Sequence, residues 1–112
     1  MFAVALSNPR SDIVALYMVV ERFRDAGAVY RRFQERGRLA PPGLDYVSSW
    51  ITDDVSTCYQ LMETQEPALL DEWISHWSDL VDFEVRPVIT SQQAAQRVGV
   101  AASGAQETTK AE

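Results

Sequence analysis

The distribution of apolar and polar positions divides residues 13–98 into seven segments. Ile13 to Phe23 (IVALYMVVERF) is rich in β-branched and aromatic residues and free of Gly and Pro, which predicts a strand. Both of its alternating sets are apolar, with Leu16, Met18 and Val20 on one side and Tyr17, Val19 and Phe23 on the other. A strand of that kind is covered on both faces. Ala26, Val29, Tyr30 and Phe33 then recur at helical spacing, predicting a helix over 26–36 with Asp25 as its N-cap and Gly37 just past its end. Arg31 and Glu35 lie off that stripe at i,i+4 and could pair. Pro41-Pro42-Gly43 forbids continuation.

Leu44–Thr52 and Thr57–Glu63 read as two strands joined by Asp53-Asp54-Val55-Ser56, a run with turn chemistry, and so as an antiparallel hairpin. Pro67 suits a first helical turn, with Glu66 as a weak cap. Leu69, Leu70, Trp73, Ile74 and Trp77 give a second amphipathic helix ending near Ser78. In Val81–Ile89 the residues Val81, Phe83 and Val85 alternate with Asp82, Glu84 and Arg86, and Pro87 marks an edge strand because it lacks a ladder donor. Thr90-Ser91-Gln92-Gln93 predicts a capping box opening a short helix stopped by Gly99. Residues 1–12 form an extension and 99–112 a polar tail without apolar periodicity, expected to be disordered.

The order β-α-β-β-α-β is the split βαβ arrangement, an α+β ferredoxin-like fold. Right-handed crossovers put both helices on one face of a four-stranded antiparallel sheet, with the first and third strands central. The short C-terminal helix follows. Two helices cover one face only, so the apolar face that they cannot reach calls for a second copy of the chain. The expected assembly is a homodimer of the dimeric α+β-barrel type.

Bulk properties narrow the function classes. A length of 112 residues allows one domain, and a net charge of −6 disfavours binding to nucleic acid or to an anionic membrane surface. The charge is uneven, with seven arginines and four acids in residues 1–40 against one arginine and ten acids in 41–90. Such a split marks either complementary surfaces, within a dimer or toward a charged ligand, or simply a solvated mixture. Cys58 is the single cysteine, so no intramolecular disulfide forms and a cytoplasmic location is expected.

The segments YMVVERF (17–23), GLDYVSSW (43–50), CYQLMET (58–64), EPALLDEWISHW (66–77) and DLVDFEVRPVIT (79–90) resemble the DUF3303 family of short bacterial proteins without assigned function. The similarity spans Tyr17 to Val98, and its most specific stretches are the Met62-Glu63 pair and the closing Trp-to-Pro-Val block. The resemblance implies a ferredoxin-like, dimeric α+β-barrel fold. It implies no activity and brings no catalytic residues.

Candidate chemistry is sparse. His76, one turn from Glu72, has the makings of a general base, and equally of a surface histidine beside an acid. Glu63 closes a strand and either binds a cationic or hydroxyl group or serves as a cap or salt-bridge partner; Arg22 is its most natural charge partner. Cys58 reads as a small buried hydrophobe rather than a thiolate. No histidine or cysteine spacing describes a metal site, and no cofactor is implied. Trp73 and Trp77 belong to the core by their spacing. Tyr46 and Trp50 share one strand face with Ser48, suiting a ligand pocket or a dimer interface. Arg32 and Arg36, one turn apart, offer an anion site or a solvated face.

Three functions compete. The first is a module binding a small organic molecule between sheet and helices, lined by Tyr17, Trp50, Tyr59 and Trp77. The second is a cofactor-independent enzyme, monooxygenase- or isomerase-like, using the same cleft with Glu63, His76 or Arg22 as its catalytic group. The third is a dimerisation or regulatory scaffold without ligand.

Overall fold

A computed structural model of the chain describes residues 15–99. The N-terminal extension, Ile13, Val14 and the polar tail beyond Gly99 lie outside the described residues. Strand β1 (Ala15–Phe23) leads to helix α1 (Ala26–Arg36), the hairpin β2 (Leu44–Ile51) and β3 (Thr57–Thr64), helix α2 (Ala68–Ser75), strand β4 (Val81–Val88) and helix α3 (Ser91–Arg97). The sheet order is β2-β3-β1-β4 with every neighbouring pair antiparallel, so β1 and β3 are central and Pro87 sits on an edge strand.

Local chemistry explains the element ends. Asp25 accepts a hydrogen bond from the Ala28 amide, and Gly37 closes α1 at φ 75° while donating its amide to the Phe33 carbonyl. Thr90 and Gln93 form the reciprocal capping box of α3. The entry to α2 differs from expectation. Glu66 is not its cap; Pro67 holds the cap position without a side-chain bond, and Thr64 Oγ1 accepts from the Glu66 amide instead. The helix also ends earlier, at Ser75. His76 and Trp77 donate their amides three residues back, tightening the chain into turns that carry Trp77 into the core. The Arg31–Glu35 pair does not form; the ion pairs among the described residues involve Arg22, Arg24, Arg32 and Arg86.

The core lies between the sheet and the first two helices. Val19, Met62 and Val81 from three strands pack with Val29 of α1, with Leu70 and Trp73 of α2, and with Trp77. These strand residues share the parity of Tyr17, Glu21, Cys58, Gln60, Phe83 and Val85, which therefore face the helices. Burying a side chain the size of Val or Met contributes about 1.5–3 kcal/mol. The opposite face carries Leu16, Met18, Val20, Tyr59 and Leu61.

One register feature changes which residues share a face. The pairing of β2 with β3 slips between Tyr46 and Ser48, leaving Val47 as an extra residue. Tyr46 stands opposite Met62 on the helix side, whereas Ser48 and Trp50 stand opposite Leu61 and Tyr59 on the open side. Tyr46 and Trp50 therefore do not share a face, because the bulge inverts the alternation between them.

Part of the uneven charge is neutralised within the chain, by three ion pairs among the described residues. Arg22, Arg24 and Arg32 pair with Glu84, Asp82 and Asp79. Arg32 reaches Asp79 with both terminal nitrogens at 2.8 and 2.7 Å, donates to the His76 carbonyl and lies over the Trp77 ring. It ties α1 to the turn before β4 and is not an open anion site with Arg36.

Candidate functional site

Between the sheet and the two main helices lies a cavity of about 240 Å³. Its floor is sheet: Glu21 and Phe23 from β1, Cys58 and Gln60 from β3, Phe83 from β4, and Ser49 and Ile51 from β2. Its walls are Val29, Tyr30 and Phe33 of α1, Trp73 of α2, and Trp77; Arg38 closes one side. Tyr30, Phe33 and Ile51 are each about two-fifths exposed, and they mark the mouth. The apolar stripe of α1 thus leans over an opening instead of sealing a core, and Val29 alone in that helix is buried. Phe23 meets Tyr30 edge-to-face, as Trp73 meets Phe83.

A polar chain runs through this apolar lining. Arg38 Nε donates to Gln60 Oε1 at 2.6 Å, and Gln60 Nε2 donates to Glu21 Oε2. Glu21 is 7% exposed and Gln60 5%. Burial raises the Glu21 carboxyl from 4.5 to about 7, against the opposing pull of the Gln60 hydrogen bond and the Arg38 charge. The carboxyl therefore exchanges its proton at neutral pH, as a general acid or base must. Cys58, beside Glu21 in register, is pushed up to about 12 by burial and then by the neighbouring carboxylate. It is a thiol, not a nucleophile. Tyr30 is also raised, by burial first.

The position of Arg38 is closely determined. The indole N–H groups of Trp73 and Trp77 both donate to its carbonyl oxygen at 3.0 Å. Its guanidinium stacks on Tyr46 at 3.8 Å from the ring centroid and on Phe33 at 5.3 Å.

The structure separates most of the residues singled out in the sequence. Trp77 lines the cavity. Tyr17 faces the helices but is packed against the core away from the cavity. Trp50 and Tyr59 do not line it; they are neighbours on the opposite sheet face, 55% and 40% exposed. Arg22 and Glu63 are not partners. Arg22 stands opposite Thr57 and Glu63 opposite Leu16, so six residues of β1, about 20 Å, separate them. Arg22 pairs with Glu84 instead, at 3.3 Å. Glu63 borders a separate recess with Asp45 and Glu66. His76 is exposed at the end of α2 and does not line the cavity.

The residues missed were Glu21, Gln60 and Arg38. Two carried a legible signal. Glu21 shares parity with Val19 and Phe23, and Gln60 with Cys58 and Met62, so each is a polar residue in a core-facing set of a central strand. Among the described residues no cluster of His, Cys, Asp or Glu is arranged to hold a metal ion. Nor, among them, is any helix long and apolar enough to cross a membrane.

No curated protein and no solved structure matches the chain. The family described as a domain of unknown function (DUF3303) matches residues 15–102, and the chain belongs to it.

Proposed function

We propose that the protein binds a small organic molecule in the cavity between the sheet and the helices, with Glu21 as the polar group that meets it. The observation that carries this reading is a carboxyl buried at the floor of a cavity whose walls are largely apolar and rich in aromatic rings. Its Oε2 is held by Gln60, while Oε1 makes no hydrogen bond among the described residues. Burying an acid in this way destabilises the fold, and ligand sites characteristically combine apolar walls with a few placed polar groups. A fragment screen by ligand-observed NMR tests it. Fragments should bind the wild type and lose binding in Ser49→Trp, which fills the cavity from a half-buried position on edge strand β2; hits indifferent to that substitution would refute the site. In the enzymatic version of this reading Glu21 moves the proton, and Glu21→Gln then abolishes turnover while binding persists.

A second reading concerns the open sheet face, for which a second copy of the chain is the best occupant. Leu16, Met18, Val20 and Leu61 lie there beside exposed Tyr59 and Trp50. Toward β4, Arg22 and Arg86 share the carboxylate of Glu84 while Asp82 is taken by Arg24, leaving three arginines to two acids. At the β2 side Asp45 and Glu63 stand opposite each other with no ion pair among the described residues. A two-fold axis between stacked sheets brings the arginine-rich side of one copy over the acidic side of the other, an isologous arrangement. Light scattering coupled to size exclusion should give twice the chain mass, and Trp50→Arg with Leu61→Arg should halve it. A wild-type monomer at about 50 μM would exclude this assembly at the micromolar affinities of ordinary homodimers.

A further inference from the structure

Arg38 differs from the arginines that close the charge pattern. It forms no ion pair among the described residues, whereas Arg22, Arg24, Arg32 and Arg86 each do. Its Nε is committed to Gln60, and its guanidinium carbon lies over the Tyr46 ring at 3.8 Å and the Phe33 ring at 5.3 Å. The edge bearing the two terminal nitrogens makes no hydrogen bond among the described residues. The backbone is committed as well: the two tryptophan indoles hold the Arg38 carbonyl, and its neighbours Gly37 and Leu39 both adopt positive φ, at 75° and 66°. A leucine in that conformation is uncommon and persists only where surrounding structure imposes it. The result is a held guanidinium in the lining of the cavity with both terminal nitrogens uncommitted among the described residues, a group whose fork matches a carboxylate.

The rest of the cavity sets the remaining features of the ligand. Its volume of about 240 Å³ lies below the roughly 300–1,000 Å³ of sites for drug-sized molecules, so it holds one ring and a short substituent. Phe33, Trp73 and Phe83 offer that ring faces and edges to pack against. The charged and titratable groups around Glu21 are Cys58 on β3, Tyr30 on α1 and Arg38 on the loop, with Gln60 as its hydrogen-bond donor. None of these neighbours is a fixed anion; Glu21 itself is held close to neutral by its burial, whereas Arg38 is charged throughout and would repel an amine.

Resting on the reading of this cavity as a binding site, we propose that its ligand is a compact aromatic or unsaturated ring carrying one carboxylate. The anionic oxygens sit on the terminal nitrogens of Arg38, and the ring packs beside Phe33, Trp73 and Phe83. Glu21 takes its proton on binding, because a second negative charge in the cavity disfavours its ionised form, and it then donates into the site.

Benzoate, benzamide and benzylamine, nearly equal in shape and different in charge, test this by calorimetry on the full chain. Benzoate should bind at least about tenfold more tightly than benzamide, as expected of one charged hydrogen-bonded contact, and benzylamine more weakly than either. Arg38→Met should remove the benzoate preference, weakening benzoate far more than benzamide, whose neutral carbonyl loses only an uncharged acceptor's contact. Arg38→Lys, which keeps the charge and loses the fork, should retain some of it, and native tryptophan near-UV dichroism should show both variants folded. Measured at pH 7 in two buffers of different ionisation heat, benzoate binding should take up protons in the wild type and not in Glu21→Gln. Benzylamine binding as tightly as benzoate, or benzoate affinity unchanged in Arg38→Met, would overturn the carboxylate assignment while the cavity remains a site. Failure of all three probes together with fragment hits that Ser49→Trp abolishes also overturns it, and failure without such hits overturns the binding reading itself.

Discussion

Replacing Glu21 by Gln should make this protein more stable at pH 8 and leave it no more stable at pH 5. The folded protein holds the carboxyl at about 7, against 4.5 for the free side chain. At about 1.4 kcal/mol per pH unit, that difference amounts to about 3 kcal/mol between the charged and neutral forms. The sign follows from proton counting. Between pH 4.5 and 7 the native state binds more protons at this position than the unfolded state, so stability falls as pH rises through that window. Below it the neutral acid carries no such penalty; above it the full penalty applies. Glutamine keeps the acceptor for Gln60 and never ionises, but its amide group faces the cavity without a partner, a cost of about 1 kcal/mol. The expected gain is therefore about 2 kcal/mol at pH 8, shrinking to zero or slightly below at pH 5. Urea unfolding of both proteins at fixed concentration, at half-unit steps across this range, measures the difference directly, and contributions from other groups cancel in it. Asp79 and Cys58, which titrate at about 2 and about 12, lie outside the window in any case. A stability difference flat to within about 0.5 kcal/mol, the resolution expected for comparison of two such curves, would refute the buried, proton-exchanging carboxyl.

Other consequences are open to equally simple measurement. Gly37→Ala should lose about 1–3 kcal/mol in urea unfolding, because φ 75° and ψ −161° are all but closed to residues with a Cβ while the added methyl meets no atom within 4 Å. Asp79→Asn should lower Tm at neutral pH and flatten the acid limb: the Arg32 hydrogen bond holds Asp79 down at about 2, so its contribution is present above the unfolded value of 3.8 and lost as pH falls through about 2. Cys58, buried and with its thiol pushed up to about 12, should resist a thiol-disulfide reagent at pH 8 in the native protein and react at once in guanidinium. Rapid native labelling would contradict both its burial and its protonation.

Short-range periodicity and capping chemistry were enough to define the elements and most of their faces. Asp25, Gly37 and the Thr90–Gln93 box mark helix ends by bonds made within a few residues. Val81, Phe83 and Val85 alternate toward the core as their spacing requires, and Pro87 falls on the edge for want of a donor. The β-α-β-β-α-β order then left few ways to arrange the sheet.

Which side chains meet was settled by long-range pairing. A single extra residue, Val47, moved Tyr46 to the helix side and kept Trp50 on the other; no local pattern announces such a bulge, because it satisfies pairing along the whole of β3. Antiparallel register set Arg22 and Glu63 at opposite ends of the sheet and gave Arg22 to Glu84. Three of the arginines and three of the acids that looked like two surfaces instead meet in contacts that join α1, β1 and the residue after β1 to the segment around β4. The helical stripe of Tyr30 and Phe33 promised core, yet the path of the chain through Gly37 and Arg38 left a cavity beneath it. Glu21 became the chief candidate of that cavity for the same reason. Its parity was legible, but its raised proton affinity depends on burial among Gln60, Cys58 and Arg38, which only the fold brings to its side.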